Sequence, residues 1–335
     1  MQLRSELVET VIDDPRRGFE RISLRCEIRW DPLTGITSRL LPSAGSSAIP
    51  LATTDLVGLA ESTRPGCPFC ADEIEQLTPR FADEMVPGGR FRRGEAWLFP
   101  NLLPYSKYSS VCVFSAERHL LPLSEMTPEL VSDNLAAQVD FARVAVGMDP
   151  ESSWTSINAN HMPPSGSSVF HPHTQGGAHP FPSNAQRMML EAAGRFGDYL
   201  ELEKRAGRRY IGTTGRVEWL AGFAPVGPGE IRFLVPGAAS VTQMDRATTA
   251  ELAATLSRVL NLYADMGFQS YNLALYGAPA GAEGYWLNGR IICRFNVLPL
   301  QRSDVTWLER LHWEAATDLC PEDLAAKART AISGA

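Results

Sequence analysis

The stretch over residues 160–175 constrains this chain more than any other, and it ends in the sequence HPHTQ. Alternate side chains of an extended strand point to one face, so His171, His173 and Gln175 would share one surface. Just upstream, the small residues at 165–168 form a loop whose backbone N–H groups could approach an anion closely. An imidazole beside amide donors suits attack on a phosphate. The alternative is a surface turn that happens to hold histidines.

The composition is that of an ordinary soluble globular protein, and it excludes several classes of function. The chain has 335 residues, of which 44% are hydrophobic and 21% charged, enough for one large domain or two. The net charge of −7 argues against nucleic-acid binding, which requires a basic surface. No apolar run approaches the length of a membrane span, and the first residues contain no signal-peptide core. We therefore expect a cytoplasmic protein.

Two of the six cysteines, Cys67 and Cys70, form a CxxC pair. In a cytoplasmic protein such a pair indicates either a metal site or a redox centre, and six cysteines are too few for a disulfide scaffold at this length. A thioredoxin-like pair would follow a strand, whereas the sequence RPG precedes this one. A zinc site needs two further ligands, and His119 and His171 are available, but spacing alone does not select them. Taken by itself, His119 is most simply a surface histidine at a strand end.

The order of the predicted elements repeats along the chain. In the first half we predict strands over 96–100, 110–114 and 154–158 and helices over 127–146 and 185–206, with Thr127 as the cap of the longer helix. In the second half we predict strands over 216–223, 230–235, 270–276 and 290–297 and a helix over 245–266. Turns or loops are predicted at 31–35, 42–47 and 101–107. The alternative to two similar halves is a single doubly wound sheet. The sequence contains no dinucleotide or P-loop fingerprint.

Several motifs, taken in order, resemble galactose-1-phosphate uridylyltransferase and its relatives in the histidine-triad superfamily. The matching segments are DPLTG at 31–35, CPFC at 67–70, the segment 114–119, Asn160, Gly166 and Ser168 with HPHTQ at 171–175, and the segments 219–221, 272–279, 302–303 and 318–322. The resemblance runs over nearly the whole chain. Its specific part is the HPHxQ motif with the asparagine and glycine upstream.

The resemblance implies a role for each matching residue. His173 would be the nucleophile that takes a nucleoside monophosphate, expected to be UMP, and Gln175 would hydrogen-bond the transferred phosphoryl group. A structural zinc ion would be bound by Cys67, Cys70, His119 and His171. The nucleotide would be contacted by Asn101, Asn160, Gly166, Ser167 and Ser168.

The resemblance also implies the fold and the reaction. The fold would be α+β, with two histidine-triad-like halves, residues 1–195 and 196–335, each an antiparallel sheet with packed helices, and the protein would form a homodimer. The expected activity is that of a nucleotidylyltransferase, which moves the nucleoside monophosphate from a nucleotide sugar to a sugar 1-phosphate. The alternatives are a phosphorylase or hydrolase of nucleotide sugars or dinucleoside polyphosphates, and a catalytically silent nucleotide-binding protein.

The C-terminal half departs from the family where relatives often bind a second metal. Tyr276, Cys293 and Phe295 stand at the positions of the expected histidines. None of the three is a strong equivalent of an imidazole ligand, so we expect no second metal in this half.

A second departure concerns the acceptor. Leu308 and Glu309 stand where the family has a lysine and a phenylalanine. A carboxylate at this place would repel a second phosphate unless a cation such as Arg302 or Arg310 compensates. We therefore expect galactose 1-phosphate to be a poor acceptor.

Overall fold

The computed structural model describes residues 1–41, 54–298 and 303–333, and it shows an α+β fold built on two β-sheets. The strands are β1 (Arg4–Asp14), β2 (Glu20–Trp30), β3 (Thr37–Leu40), β4 (Phe91–Arg93), β5 (Ala96–Pro100), β6 (Tyr108–Val113), β7 (Trp154–His161), β8 (His173–His179), β9 (Tyr210–Thr214), β10 (Val217–Ala221), β11 (Ile231–Val235), β12 (Ser270–Gly277), β13 (Leu287–Arg294) and β14 (Ala315–Thr317). The helices are α1 (Leu56–Thr63), α2 (Ile74–Leu77), α3 (Pro128–Met148), α4 (Asn184–Glu191), α5 (Phe196–Ala206), α6 (Arg246–Asp265), α7 (Trp307–Leu311) and α8 (Pro321–Ser333). The predicted fold class is confirmed. The predicted loop at 42–47 and Arg302 lie outside the described residues.

The larger sheet has ten strands in the order β4-β5-β6-β8-β7-β12-β13-β11-β10-β9. The first half of the chain supplies the first five of these strands, and the second half supplies the other five. The two arrays meet at β7 and β12, which pair antiparallel from Tyr271 opposite His161 to Gly277 opposite Thr155. All neighbours in this sheet are antiparallel, so the alternative of a doubly wound parallel sheet is wrong.

The two long helices begin where the sequence predicts. The hydroxyl of Thr127 accepts a hydrogen bond from the N–H of Leu130 at the start of α3, and Asp245 caps α6 in the same way. The single helix predicted over 185–206 is wrong, because the chain forms α4 and α5 there. Between them Gly194 has a φ of 81°, which a helix does not accommodate.

One face of the ten-stranded sheet carries the main hydrophobic core, to which α3 and α6 contribute. Ile157 and Ala159 of β7 point into this core and are buried. Since side chains alternate along a strand, Asn158 and Asn160 point to the opposite face. That opposite face holds the candidate site. None of the helices in the part of the chain that the structure describes is both long and apolar enough to cross a membrane.

The smaller sheet has the order β1-β2-β3-β14, with β3 and β14 parallel. Between β2 and β3 the carboxylate of Asp31 accepts the N–H groups of Leu33 and Thr34, and Gly35 has a φ of 74°, which confirms the predicted turn. The other oxygen of Asp31 pairs with Arg232 in a fully buried salt bridge. This pair connects the turn to the second half of the ten-stranded sheet.

Replacing Asp31 with asparagine should lower the free energy of unfolding by about 3–5 kcal/mol, because Arg232 would lose one buried countercharge and keep Glu230. Burial alone would raise the pKa of Asp31, but Arg232 and Arg290 outweigh it and hold the pKa at about 2. A carboxyl with a lowered pKa stabilises the fold above its ordinary pKa and loses that contribution as the pH falls towards 2. Urea unfolding at neutral pH and near pH 3 should show the difference between variant and wild type shrinking.

The matched control for that experiment is Asp13→Asn. Asp13 pairs with Arg21 on the surface, where both side chains are at least half exposed. An exposed pair contributes at most about 1 kcal/mol, so the control should unfold close to wild type. Equal stabilities of the Asp31 and Asp13 variants at neutral pH would show that the buried pair does not stabilise the fold.

Candidate active site and metal centre

His173 is the first residue of β8, which lies between β6 and β7. Its side chain is 7% exposed, and its Nδ1–H donates to the carbonyl oxygen of His171 at 2.8 Å. Burial lowers the pKa of His173, and the bond to the carbonyl acts in the opposite direction without cancelling the effect. The ring is therefore neutral near pH 7. With Nδ1 protonated, Nε2 carries the lone pair, and it has no hydrogen-bond partner among the residues described.

Of the three residues predicted to share one face of an extended strand, His173 and Gln175 lie in β8 and His171 precedes it. The strand begins only after Pro172, which has no N–H to donate to a ladder. The Nδ1 atom of His171 instead faces the sulfur atoms of Cys67 and Cys70 at 3.7 and 3.6 Å.

The structure brings Cys67, Cys70, His119 and His171 together as a group that can hold a metal ion, and all four are buried. Their ligand atoms lie within 4.8 Å of one another. A tetrahedral zinc ion with ordinary bond lengths would place a sulfur and a nitrogen ligand about 3.6 Å apart. The observed sulfur-to-nitrogen distances of 3.3 to 3.7 Å fit that geometry.

Outer hydrogen bonds orient both histidines of this Cys2His2 group. The Nε2 of His171 bonds the carbonyl oxygen of Ser115 at 2.7 Å, and the Nε2 of His119 lies 3.0 Å from the hydroxyl of Thr63. These bonds orient the two rings so that each Nδ1 points to the centre of the group. Histidines that bind a metal ion commonly have their other ring nitrogen held in this way. His119 is thus a member of the cluster, and its interpretation as a surface histidine is wrong.

The electrostatics of the group favour a metal site over a redox pair. Burial, and then the neighbouring Cys67, raise the pKa of Cys70 to about 12. Burial lowers the pKa of His171 to about 4 and also lowers that of His119. A reactive CxxC needs a lowered thiol pKa. Here the protein alone does not stabilise thiolates, whereas a divalent cation would supply the missing positive charge.

Phe69, inside the CxxC pair, connects the metal group to the nucleophile. Its ring packs edge-to-face on His173 at a centroid distance of 5.3 Å and on His171 at 6.1 Å. A shift of the cysteines of the CxxC pair would therefore move Phe69 and alter the packing around the ring of His173.

Gln175 and Asn101 mark the direction in which a ligand could extend from His173. Gln175 is half-buried and lies opposite Asn158 of β7 in register, and its side chain makes no hydrogen bond to the described residues. The N–H of Asn101 bonds the carbonyl oxygen of Ser109, which pairs with residue 177 of β8. That point is four residues from His173, about 13 Å along the strand.

The turn at 163–168 lies at the His173 end of the site. The pairing of Ala159 with Thr174, continued by one residue, sets Asn160 beside His173. Gly166 has a φ of 94°, and a Cβ at this position would lie 3.8 Å from the Nδ2 of Asn160.

Beyond Gly166, the N–H groups of Ser167 and Ser168 make no hydrogen bond to any residue in the described ranges. The hydroxyl of Ser167 donates to the carbonyl oxygen of Val169 at 2.6 Å, which fixes the course of the turn. Two adjacent free N–H groups next to an imidazole can bind an anion, so the turn suits a phosphate.

Two further residues at the site were missed by the sequence analysis. Asn272 of β12 lies opposite Asn160 and bonds it, and Arg294 of β13 bonds Asn272. His161, the last residue of β7, is buried on the core face of that strand and stacks on Tyr271 at 5.1 Å. The alternation of polar and apolar residues along β12 placed Asn272 on the open face, but no local signal connected it to residue 160.

Two residues at which the C-terminal half departs from the family pattern, Cys293 and Glu309, have different surroundings. Cys293 is fully buried in the main core, where its thiol faces Tyr263, and the absence of a second metal stays a prediction. The carboxylate of Glu309 accepts the N–H and the hydroxyl of Thr306 at 2.8 and 2.6 Å and so caps α7. Burial raises the pKa of Glu309, but the hydrogen bonds outweigh it and lower the pKa, so the carboxylate stays ionised and the expected repulsion of an acceptor phosphate stays a prediction.

Sequence comparison finds a relative that covers most of this chain. No family model matches the chain. An uncharacterized protein of Archaeoglobus fulgidus is 32% identical over 314 residues, which cover 90% of this chain and 91% of that protein.

Two solved structures share the fold. The crystal structure of an ADP-glucose phosphorylase from Arabidopsis thaliana with bound ADP-glucose has a TM-score of 0.67 and 19% identity, over 91% of this chain and 98% of the other. A uridylyltransferase structure has a TM-score of 0.63 and 20% identity, over 92% and 98%. The chain therefore belongs to one family with the archaeal protein, and it shares the fold of the ADP-glucose phosphorylase and of the uridylyltransferase.

Proposed function

We propose that this protein is a nucleotidylyltransferase that takes a nucleoside monophosphate from a nucleotide sugar as a covalent adduct on His173 and passes it to a phosphorylated acceptor. The observation that carries the proposal is the 2.8 Å bond from Nδ1–H of His173 to the carbonyl oxygen of His171. That bond fixes the tautomer in which Nε2 holds the lone pair, in a ring that burial keeps neutral. The fold neighbours named a phosphorylase and a uridylyltransferase support the same class of reaction.

The reaction divides one displacement into two. In the first step Nε2 of His173 attacks the α-phosphorus, a P–N bond forms, and the P–O bond to the bridging oxygen breaks. The electron pair leaves with the sugar 1-phosphate, whose second pKa of about 6 makes it a good leaving group without a strong acid. In the second step an acceptor phosphate oxygen attacks the same phosphorus, the P–N bond breaks, and the neutral imidazole is restored.

The protein groups around His173 have separate tasks in this scheme. The carbonyl oxygen of His171 accepts the Nδ1–H and favours the positive charge that the ring gains on phosphorylation. The N–H groups of Ser167 and Ser168 and the amide of Gln175 face the phosphoryl oxygens and stabilise the charge of the transition state. Asn101 lies farther along β8, where the nucleoside would extend.

We assign zinc to the Cys2His2 group, because two thiolates and two imidazoles at tetrahedral spacing are its usual structural ligands. The ion would supply positive charge to the thiolates and close four coordination positions. Cys67, Cys70, His119 and His171 would then hold the CxxC turn, the segment after β6 and the entry to β8 in one arrangement. As the resemblance implies, the protein would act as a homodimer, and as the sequence composition predicts, it would do so in the cytoplasm.

The acceptor decides between two forms of this activity. A sugar 1-phosphate would make the protein a uridylyltransferase-like enzyme, and inorganic phosphate would make it a phosphorylase. Of the two solved structures compared above, one is named a phosphorylase and the other a uridylyltransferase, and their TM-scores of 0.67 and 0.63 are similar. Both acceptors therefore need to be tested, and the negative charge of Glu309 leads us to expect poor discharge by galactose 1-phosphate.

The deciding experiment uses nucleotide sugars labelled in the α-phosphate, among them UDP-glucose and ADP-glucose, and no acceptor. The expected result is a stoichiometric adduct that is labile in acid and stable in base, as a phosphoramidate is. Galactose 1-phosphate, glucose 1-phosphate and inorganic phosphate are then compared for discharge of the adduct. Failure to form an adduct with every nucleotide sugar and dinucleoside polyphosphate tried would favour the silent nucleotide-binding protein.

A further inference from the structure

A chain of side chains from the second half of the protein reaches the phosphate-binding turn. Arg294 of β13 forms a two-point salt bridge with Asp304, whose side chain is 5% exposed. The same guanidinium donates to the amide oxygen of Asn272 on β12. The amide nitrogen of Asn272 donates in turn to Oδ1 of Asn160 at 2.6 Å and to the carbonyl oxygen of Ser165 at 3.0 Å.

Hydrogen-bond chemistry gives this chain one direction. A guanidinium has donors and no acceptor, so the oxygen of the Asn272 amide must face Arg294. The nitrogen of that amide then faces Asn160, which must present its own oxygen. The remaining group, Nδ2 of Asn160, has no partner within the described residues, and it points to the region of Gly166.

We propose that Arg294 and Asn272 are positioning residues that fix Asn160 as a hydrogen-bond donor to the phosphate oxygens of a bound nucleotide. Without them the amide of Asn160 could rotate and present an oxygen, which a phosphate repels. The inference rests on the proposed function for the identity of the ligand. It assigns a task in nucleotide binding to the second half of the sheet, which carries no nucleophile at the equivalent place.

The same two residues hold the backbone of the turn. Ser165 is the last residue of the tight turn that starts at Pro163, and its carbonyl oxygen receives Nδ2 of Asn272 and, at 3.5 Å, the guanidinium of Arg294. Just before the turn, Met162 has a φ of 68°, a strained conformation for a non-glycine residue. Contacts from outside the turn therefore contribute to its conformation.

The test compares Asn272→Asp with wild type in the binding of UMP and AMP, measured by calorimetry because it needs no reaction. The new carboxylate would still accept from Arg294, but it could not donate to Asn160 or Ser165. Losing one hydrogen bond to a charged phosphate should weaken binding about 10- to 100-fold. In turnover the change should appear mainly in KM, with kcat less affected.

Two further variants separate positioning from general damage. In an Asn160→Ala background, Asn272→Asp should weaken binding by at most about threefold more, because both changes act largely through one donor. Arg294→Met should weaken binding and Arg294→Lys should restore part of it. The matched control is Asn296→Asp, which removes a buried amide donor from the carbonyl oxygen of Gly267 and no hydrogen bond to the turn, and which should leave nucleotide affinity near wild type.

The outcomes separate this inference from the proposed reaction. Full additivity of Asn160→Ala and Asn272→Asp, or equal affinity of Asn272→Asp and wild type, would overturn the positioning role. Lack of binding of either nucleotide to wild type would overturn it as well. Nucleotide binding with the expected pattern of variants, but no adduct on His173, would keep the positioning role and refute the covalent reaction.

Discussion

Replacing His173 with asparagine is expected to abolish the nucleotidyl adduct and to lower turnover by about 10⁴- to 10⁶-fold, the range typical for loss of a covalent nucleophile. The fold should survive, because an asparagine can make the same backbone bond. Asn288 of β13 makes a bond of this kind, since its side chain donates to the carbonyl oxygen of Trp286, two residues earlier, at 2.8 Å. Labelling with an α-phosphate-labelled nucleotide sugar and single-turnover kinetics would measure both effects.

Two variants calibrate that result. Gln175→Ala should retain labelling at a rate about 10²- to 10³-fold lower, because its amide stabilises charge and forms no bond to phosphorus. His179→Asn changes a histidine at the far end of β8, which packs on Phe181, and it should label at close to the wild-type rate. Persistent acid-labile labelling of His173→Asn would show that another residue is the nucleophile.

Replacing Cys70 with serine is expected to release the metal and to lower the free energy of unfolding by several kcal/mol, because a structural zinc site contributes its binding energy to folding. The loss should extend beyond the CxxC turn. His171 is one of the proposed ligands, and its carbonyl oxygen accepts the Nδ1–H of His173, so labelling should also fall. Metal analysis, thermal unfolding and labelling of the same preparation would test the three effects, and a chelator should reproduce them in wild type.

The control for Cys70 is Cys112→Ser. Cys112 is also fully buried, but it lies in β6 and its sulfur faces the carbonyl oxygens of Val113 and Asn134 at 3.8 Å. It should cost about 1–2 kcal/mol and keep the metal content unchanged. Retention of one metal per chain in Cys70→Ser, or a disulfide between Cys67 and Cys70 in protein from a reducing cytoplasm, would contradict the assignment of the site.

Local rules predicted the parts of the site that depend on neighbouring residues. The period of two along a strand placed His173 and Gln175 on one face, and the capping preference of threonine placed the start of α3 at Thr127. His171 lies outside that strand, because β8 begins only after Pro172. A helix pattern over 185–206 likewise overlooked the positive φ of Gly194.

Contacts between distant residues could not be predicted by such rules. Cys70 and His119 are 49 residues apart, and Cys67 and His171 are 104 apart, so only the resemblance to a family joined them into one set. No family motif supplied the bond between Asn160 and Asn272, which are 112 residues apart. The bond arises from the register in which β7 pairs with β12. Neither strand predicts that pairing by itself, because each could also have formed the edge of a separate sheet.

The joint between β7 and β12 also bears on how the protein is made. A chain synthesised only to residue 195 would expose β7, Trp154–His161, as an unpaired edge that can pair with other chains. Such a partial chain would also lack Asn272 and Arg294, and with them the anchors of the turn at 163–168. Activity should therefore appear only late in translation, when β12 docks, and expression of the halves as separate chains should favour aggregation unless they are produced together.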